Sequence, residues 1–251
     1  MPATVVLLHG FAGTGRAWDP VISRLDRERY TALAPDLRGH GAARTARPVT
    51  FAAVAADVLA TGPERFVLCG YSMGGRIALH VALAAPERIE RLVLVATTAG
   101  IDDAAERAAR RAADERLAAF ADEATIEAFA DRWTAQPLFA GTPPEAARIW
   151  REDLLRNDPR ALAAVLRGLG TGAMAPLWDR LDELAMPATV LAGADDPKFV
   201  ALGQRLEHAL PRAELTIVPA AGHGLPREAP DAVAAAIGDA GARSGRLGQT
   251  R

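Results

Sequence analysis

The stretch from Phe66 to Ala78 reads Phe-Val-Leu-Cys-Gly-Tyr-Ser-Met-Gly-Gly-Arg-Ile-Ala and decides the fold. A short apolar run, typical of a buried strand, ends at Cys69, and an Ala-rich segment with helical spacing follows. Between them, residues 70–74 form the pattern Gly-x-Ser-x-Gly. Its glycines carry no Cβ atoms, so the chain can turn sharply from strand to helix with Ser72 at the apex. The pattern alone also fits an ordinary strand-to-helix turn, so its meaning depends on the rest of the chain.

Composition limits the classes of protein that this chain can belong to. The 251 residues are half apolar, which suits one large α/β domain with an insertion. A net charge of -2 gives no general attraction to nucleic acid or anionic membranes, and no apolar run is long enough to span a bilayer. A strand starts within a few residues of the N-terminus, which predicts no signal peptide. The single cysteine, Cys69, excludes an internal disulfide and favours the cytoplasm.

Strand and helix patterns alternate on both sides of the Ser72 turn. The predicted strands are Thr4–Leu8, Tyr30–Ala34, Phe66–Cys69, Arg91–Ala96, Ala188–Ala192 and Glu214–Val218. The predicted helices between and after them are Trp18–Leu25, Phe51–Thr61, Gly74–Ala85, Val200–Leu210 and Glu228–Gly238. This alternation predicts an α/β fold in which helices cover both faces of a mostly parallel sheet.

The alternation stops between about Ile101 and Leu177. Four consecutive helices are predicted there: Asp102–Phe120, Ala124–Ala135, Pro144–Arg156 and Asp158–Leu166. We interpret residues 99–177 as an all-helical cap over an α/β core formed by residues 1–98 and 178–240. Residues 241–251, rich in Gly, Arg, Ser and Gln, are predicted to form a disordered tail.

Three polar groups follow three of the predicted strands: Ser72, the pair Asp195 and Asp196, and His223. Parallel strands bring their carboxyl ends to one edge of the sheet, so these residues can converge. The order Ser, Asp, His is that of the α/β-hydrolases, in which His accepts the Ser proton while the carboxylate orients the ring. Asp196 is the preferred acid because Pro197 favours a rigid turn after it, and Asp195 remains the alternative.

Two further features surround the predicted nucleophile. The backbone N–H groups of Met73, after Ser72, and of Phe11, in the Gly-rich loop after the first strand, are candidates for an oxyanion hole. Arg76 lies one turn into the helix that begins after Ser72, where the helix dipole disfavours a cation. It either reaches solvent or a carboxylate, or binds an anionic substrate, since Arg suits bidentate contacts to carboxylates.

These residues resemble the α/β-hydrolase superfamily across nearly the whole chain, and more narrowly its MenH family of menaquinone biosynthesis. The matching segments are residues 9–11 with Gly13 and Trp18, residues 70–76, Trp133 with residues 136–139, residues 166–172, and residues 196–199. The first two recur in many α/β-hydrolases. The cap segments and Asp-Pro-Lys-Phe are more specific, and together they cover both cap and core.

The resemblance implies an α/β-hydrolase fold and a lyase activity. Members of that family eliminate pyruvate from 2-succinyl-5-enolpyruvyl-6-hydroxy-3-cyclohexene-1-carboxylate without a metal or cofactor. Ser72, activated by His223, would then act as a base, and the oxyanion hole would stabilise charge on the succinyl carbonyl. The partner implied is a small carboxylated substrate, with no obligate protein partner. The implied substrate-binding residues are Tyr71, Arg76, Arg110, Trp133 and Arg151, the last of which, with Arg156, flanks Leu154 at a position where the family has arginine.

Two other classes of function remain open. The same triad would serve a serine esterase or a carbon–carbon bond hydrolase acting on a small carboxylated substrate. A non-catalytic ligand-binding protein could also use a hydrolase scaffold, although it would have no need to keep glycines on both sides of Ser72. Arg76 and the cap segments favour the lyase.

Overall fold

Six parallel strands form a single sheet. The computed structural model describes residues 2–238, so the predicted tail, residues 241–251, lies outside the described residues. The strands are β1 (Ala3–Leu8), β2 (Tyr30–Leu33), β3 (Phe66–Tyr71), β4 (Ile89–Val95), β5 (Ala188–Gly193) and β6 (Ala213–Val218). They lie in the order β2-β1-β3-β4-β5-β6, and every described neighbouring pair is parallel. The chain therefore changes direction across the sheet between β1 and β3, which is where such sheets bind ligands.

Alternate residues of the strands point into two apolar cores, one on each face. Val6, Leu8, Leu68 and Leu92 contribute to one core, and Val5, Leu7, Val67 and Val93 to the other. The helices are α1 (Asp19–Ile22), α2 (Phe51–Thr61), α3 (Met73–Ala84), α4 (Ala104–Glu123), α5 (Ile126–Thr134), α6 (Pro144–Leu154), α7 (Pro159–Leu169), α8 (Pro197–Ala209), α9 (Leu225–Glu228) and α10 (Pro230–Gly238). Helices α2, α3 and α8 cover the first face, and α1 and α10 cover the second. The predicted α/β fold is confirmed.

Two predicted helices are interrupted, and proline explains both interruptions. The segment predicted as Trp18–Leu25 forms a 3-10 turn over Gly15–Trp18 and then the four-residue α1. The segment predicted as Glu228–Gly238 belongs to α9 up to Glu228 and to α10 from Pro230. Pro20 and Pro230 lack the backbone N–H that a continuous helix requires, so a new helical segment starts one residue before Pro20 and at Pro230 itself.

Four helices, α4 to α7, lie between β4 and β5, as the sequence predicts. Helices α4 and α7 pack closely along their length, and Phe129, Leu154 and Leu162 are fully buried in a core that these helices share with Ala12 of the loop after β1. The cap therefore rests directly on one of the loops that lead to the site. Within residues 2–238, no helix combines the length and the hydropathy needed to cross a membrane.

The start of α3 packs against the backbone of β1 with no room for a side chain. A Cβ atom built on Gly74 would lie 2.0 Å from the carbonyl oxygen of Leu8 and 2.7 Å from that of His9. Backbone atoms in the middle of a sheet cannot move aside without a large cost in free energy. The second glycine of Gly-x-Ser-x-Gly is therefore needed for the contact between helix and sheet.

We expect Gly74→Ala to lower the free energy of unfolding by about 2–3 kcal/mol, because the methyl group overpacks a rigid contact. Urea denaturation followed by circular dichroism measures this. Gly238→Ala is the control, because its Cβ position has no described atom within 4 Å other than those of its chain neighbours and of its own helix backbone. Equal losses in the two variants would contradict the assignment of the tight contact to Gly74.

Candidate active site

Ser72 lies between β3 and α3 in a backbone conformation that side chains rarely adopt. Its φ is 52° and its ψ is -109°, and such strained conformations cost about 1–3 kcal/mol. Two hydrogen bonds hold it there: Ser72 N donates to Val95 O at 2.9 Å, and Thr97 Oγ1 donates to Ser72 O at 2.7 Å. The strained turn leaves the Ser72 side chain facing a cavity between the sheet and the cap.

The structure brings the three candidate catalytic residues together. His223 Nε2 lies 3.1 Å from Ser72 Oγ, and His223 Nδ1 lies 3.0 Å from Asp196 Oδ2. Asp196 and His223 are 8% and 4% exposed, whereas Asp195 is exposed, so the contact belongs to Asp196. The remaining oxygen of Asp196 accepts a hydrogen bond from Phe199 N at 3.3 Å and so caps α8. The arrangement can transfer a proton from Ser72 to an imidazole that the carboxylate orients.

Glu228 fixes the loop that carries His223, and the sequence analysis missed it. Its carboxylate accepts hydrogen bonds from Gly222 N at 2.6 Å and from Gly224 N at 3.0 Å, the two residues that flank His223. The ring of Phe199 lies 4.4 Å from the imidazole, measured between centroids. A glutamate four residues after Gly-His-Gly was the available signal. The imidazole is therefore held through both its backbone and its ring.

Both candidate oxyanion-hole residues line the cavity beside Ser72. Met73 is the first residue of α3, so its N–H has no acceptor within the helix. The N–H of Ala12, next to Phe11, already donates to His40 Nε2 at 3.2 Å. Burial lowers the pKa of His40 well below its ordinary value, and neighbouring His9 adds to this effect, which keeps Nε2 available as an acceptor. Phe11 and Met73 therefore line the same cavity as Ser72, and the oxyanion-hole role of their amides stays a prediction.

Arg76 is buried in the wall of the cavity and reaches neither solvent nor a carboxylate. Its Nη1 donates to Thr171 Oγ1 at 2.6 Å and its Nη2 donates to Leu169 O at 2.7 Å. Burial, with a smaller effect from the nearby charge of Arg110, lowers the pKa of Arg76 to about 10. The guanidinium therefore remains charged at neutral pH, and no described ion pair neutralises it. A buried cation of this kind favours an anionic ligand.

The other predicted substrate-binding residues divide into two groups. Tyr71, Arg110 and Trp133 line the cavity, which has a volume of about 520 Å³. The Tyr71 hydroxyl and Trp133 Nε1 are buried and have no hydrogen-bond partner among the described residues, while Arg110 Nε donates to Asp114 Oδ1 at 2.8 Å. The cavity lining thus adds two aromatic rings and a second guanidinium, whose charge is paired with Asp114.

Arg151 is the exception, because the structure does not bring it to the site. Its guanidinium pairs with Asp131 at 2.6 Å and is not part of the cavity lining. Helix α6 turns Trp150 and Leu154 towards the interior instead, which leaves residue 151 facing outward. Leu154 is fully buried in the cap core and Arg156 is exposed. Neither residue therefore supplies the positive charge that Arg151 was predicted to place in the cavity.

Comparison with known proteins agrees with this geometry. The model of the alpha/beta hydrolase family matches residues 5–236. The chain therefore belongs to the α/β-hydrolase family, a class defined by this sheet and by a triad in this order.

The similarity extends to one group within that family. A Bacillus subtilis protein, provisionally named 2-succinyl-6-hydroxy-2,4-cyclohexadiene-1-carboxylate synthase, is 37% identical over 90% of this chain and 85% of its own length. The synthase of that name from Serratia proteamaculans is 35% identical over 93% of this chain and 91% of its own. The structure of MenH from S. aureus superposes with a TM-score of 0.86 at 31% identity, covering 93% of this chain and 91% of that one. The resemblance to the MenH family is confirmed.

We expect Asp196→Asn to reduce kcat by about 10³–10⁴-fold, because an amide no longer stabilises the imidazolium or the required tautomer. Steady-state rates on any substrate that the protein turns over measure this. The matched control is Asp195→Asn, one residue earlier and exposed, which should retain most of the activity. A larger loss in Asp195→Asn than in Asp196→Asn would overturn the assignment of the acid.

Proposed function

We propose that this protein eliminates pyruvate from 2-succinyl-5-enolpyruvyl-6-hydroxy-3-cyclohexene-1-carboxylate to give 2-succinyl-6-hydroxy-2,4-cyclohexadiene-1-carboxylate. This product is the compound for which the synthases that the protein resembles are named. The observation that carries this proposal is the buried guanidinium of Arg76, which follows Ser72 by one helical turn and has no ion-pair partner within residues 2–238. A simple esterase has no need for such a group. A substrate with several carboxylates would satisfy it.

In the proposed reaction, the triad acts as a base. Ser72 Oγ removes a ring proton next to the succinyl carbonyl while its own proton passes to His223 Nε2. The electron pair of the broken C–H bond forms a ring double bond, and the shift of the existing double bond expels the enolpyruvyl oxygen as its C–O bond breaks. The enolpyruvate takes up on carbon the proton that His223 Nε2 received, which gives pyruvate and returns the imidazole to its neutral form. Water is not consumed, and no oxidant or reductant is required.

The amides of Phe11 and Met73 would stabilise the transition state. Negative charge develops on the succinyl carbonyl oxygen as the ring proton leaves, and preorganised N–H donors interact with it more strongly in a site from which water is excluded. Removing one such donor typically costs about 2.7–4 kcal/mol of transition-state stabilisation. Arg76 would hold a carboxylate in both the ground state and the transition state.

The same triad and amides could hydrolyse an ester, with Ser72 acylated instead of acting as a base. That alternative needs a substrate whose carbonyl carbon, and not its acidic C–H bond, lies at Ser72 Oγ. The two reactions therefore differ in how the substrate is placed, and the experiment below separates them.

We also expect the protein to act in the cytoplasm on a small carboxylated substrate. No metal, cofactor, nucleic acid, membrane or obligate protein partner forms part of the proposal. The single cysteine and the net charge of -2 support these expectations.

The first test is pyruvate release by purified protein from the enolpyruvyl cyclohexene substrate in the presence of EDTA. We expect release far above the spontaneous rate and slow cleavage of p-nitrophenyl acetate. Ser72→Ala and His223→Ala should bring release to background, with circular dichroism checking that each variant folds. Good ester turnover without pyruvate release would favour the hydrolase instead.

A second test concerns Arg76. We expect Arg76→Ala to lower kcat/KM for the carboxylated substrate by about 10- to 100-fold, because a hydrogen bond to a charged group contributes about 1.5–3 kcal/mol. Ester cleavage should fall much less. Arg151→Ala provides the matched control, since that side chain lies outside the cavity, and it should change neither rate. Equal losses of both activities in Arg76→Ala would indicate a purely structural arginine.

A further inference from the structure

Two buried polar residues at the C-terminal end of α6 take no part in the mechanism above. Asp153, near the end of α6, and Asn157, in the turn that follows it, are 5% and 7% exposed. Both side chains leave the cap and form hydrogen bonds with the catalytic core. Nothing in the proposed chemistry requires them to be polar, and buried polar groups need a reason.

Asn157 holds the backbone of the loop that carries Phe11. Its Nδ2 donates to Ala12 O at 3.0 Å, and its Oδ1 accepts from Gly41 N at 3.0 Å. Ala12 has a φ of 61°, a left-handed conformation that is unfavourable for alanine. Its N–H is bound by His40, so both polar groups of this residue are fixed. A strained residue persists only where its surroundings determine it, and here one of those surroundings comes from the cap.

Asp153 holds the other end of the same loop and joins it to the histidine loop. Asp153 Oδ2 accepts from Thr14 N at 3.0 Å, and Oδ1 accepts from Thr14 Oγ1. Arg227 Nη2 donates to Asp153 Oδ2 at 2.8 Å, with both side chains almost fully buried. Arg227 lies beside Glu228, whose carboxylate binds the amides on either side of His223. One cap carboxylate thus links the loop of Phe11 to the loop of His223.

We propose that Asp153 and Asn157 are positioning residues that hold the Phe11 amide in place relative to Ser72 and His223. The cap then acts as a structural part of the oxyanion hole in addition to covering the substrate. This inference rests on the proposed function in that the Phe11 amide must stabilise developing charge, but it applies equally to elimination and to ester hydrolysis. Losing the hydrogen bonds of Asp153 and Asn157 to the loop should reduce kcat more than it raises KM, because the negative charge on the substrate develops mainly in the transition state.

The test compares Asn157→Ala and Thr14→Val with two controls. Thr14→Ser keeps the hydroxyl donor. Leu162→Ala removes a fully buried side chain from the core that the cap shares with Ala12, so it destabilises the cap while keeping every hydrogen bond between the cap and the loop. Each variant is measured for its Tm, for hydrogen–deuterium exchange of residues 11–14, and for kcat and KM in pyruvate release and p-nitrophenyl acetate cleavage.

We expect Asn157→Ala and Thr14→Val to speed exchange in residues 11–14 by about tenfold, since local opening sets protection there. We also expect them to lower kcat by about 10- to 100-fold, less than the loss of a whole oxyanion donor, with KM changed by less than about threefold. Thr14→Ser should remain close to the unsubstituted protein. Leu162→Ala should lower Tm at least as much while leaving kcat and loop exchange nearly unchanged.

The inference would be overturned if hydrogen–deuterium exchange of residues 11–14 and kcat were both unchanged in Asn157→Ala and in Thr14→Val. An equal loss of kcat in Leu162→Ala would overturn it too, because general destabilisation of the cap would then suffice. If the unsubstituted protein releases no pyruvate, the proposed function fails on its own. In that case, hydrogen–deuterium exchange of residues 11–14 and the rate of p-nitrophenyl acetate cleavage still decide whether Asp153 and Asn157 position Phe11.

Discussion

The strained turn at Ser72 is the constraint on which the rest of the site depends. A side chain at φ 52° is held by the hydrogen bonds to Val95 and Thr97 and by the close packing of α3 on β1, with Gly74 in contact with the backbone of Leu8. This contact directs the Ser72 hydroxyl out of the sheet and aims the free amides at the start of α3 at the same point. The turn would relax without close packing, and Ser72 would then lose its position relative to His223. The packing of α3 on the sheet therefore offsets the free-energy cost of the strained backbone at Ser72.

A second constraint is electrostatic. Arg76 follows Ser72 by one helical turn, so its positive charge lies near a helix end that already carries partial positive charge. Burial makes this less favourable, and its hydrogen bonds to Thr171 and Leu169 are to neutral groups. The Gly-Thr-Gly segment around Thr171 makes this contact possible, because Gly170 and Gly172 pack against Asp114 and the backbone of Arg111. A cost of this kind suits a site whose ligand supplies the missing negative charge.

The sequence predicted the sheet, the cap helices and the three triad residues, and the reason is topological. Parallel strands place their carboxyl ends together, so Ser72, Asp196 and His223 could be expected to meet without knowledge of the packing. Arg151 was misplaced because a list of nearby arginines does not say which face of α6 is turned inward, and Trp150 and Leu154 occupy that face. Asp153, Asn157 and Glu228 were missed for a related reason. Their roles arise from long-range contacts between cap and loops that leave no pattern within a short stretch of sequence.

The triad geometry by itself does not select between elimination and hydrolysis. The 3.1 Å contact between His223 Nε2 and Ser72 Oγ activates the hydroxyl equally well as a base or as a nucleophile. The outcome depends on which atom of the substrate lies against Ser72 Oγ, and a shift of little more than one bond length exchanges an acidic C–H for a carbonyl carbon. In the proposed site, Arg76 would constrain the substrate from one side and the loop of Phe11 from the other. The cap contacts both, through Thr171 and through Asp153 and Asn157. On these proposals, the contacts between cap and core would therefore help to select the reaction.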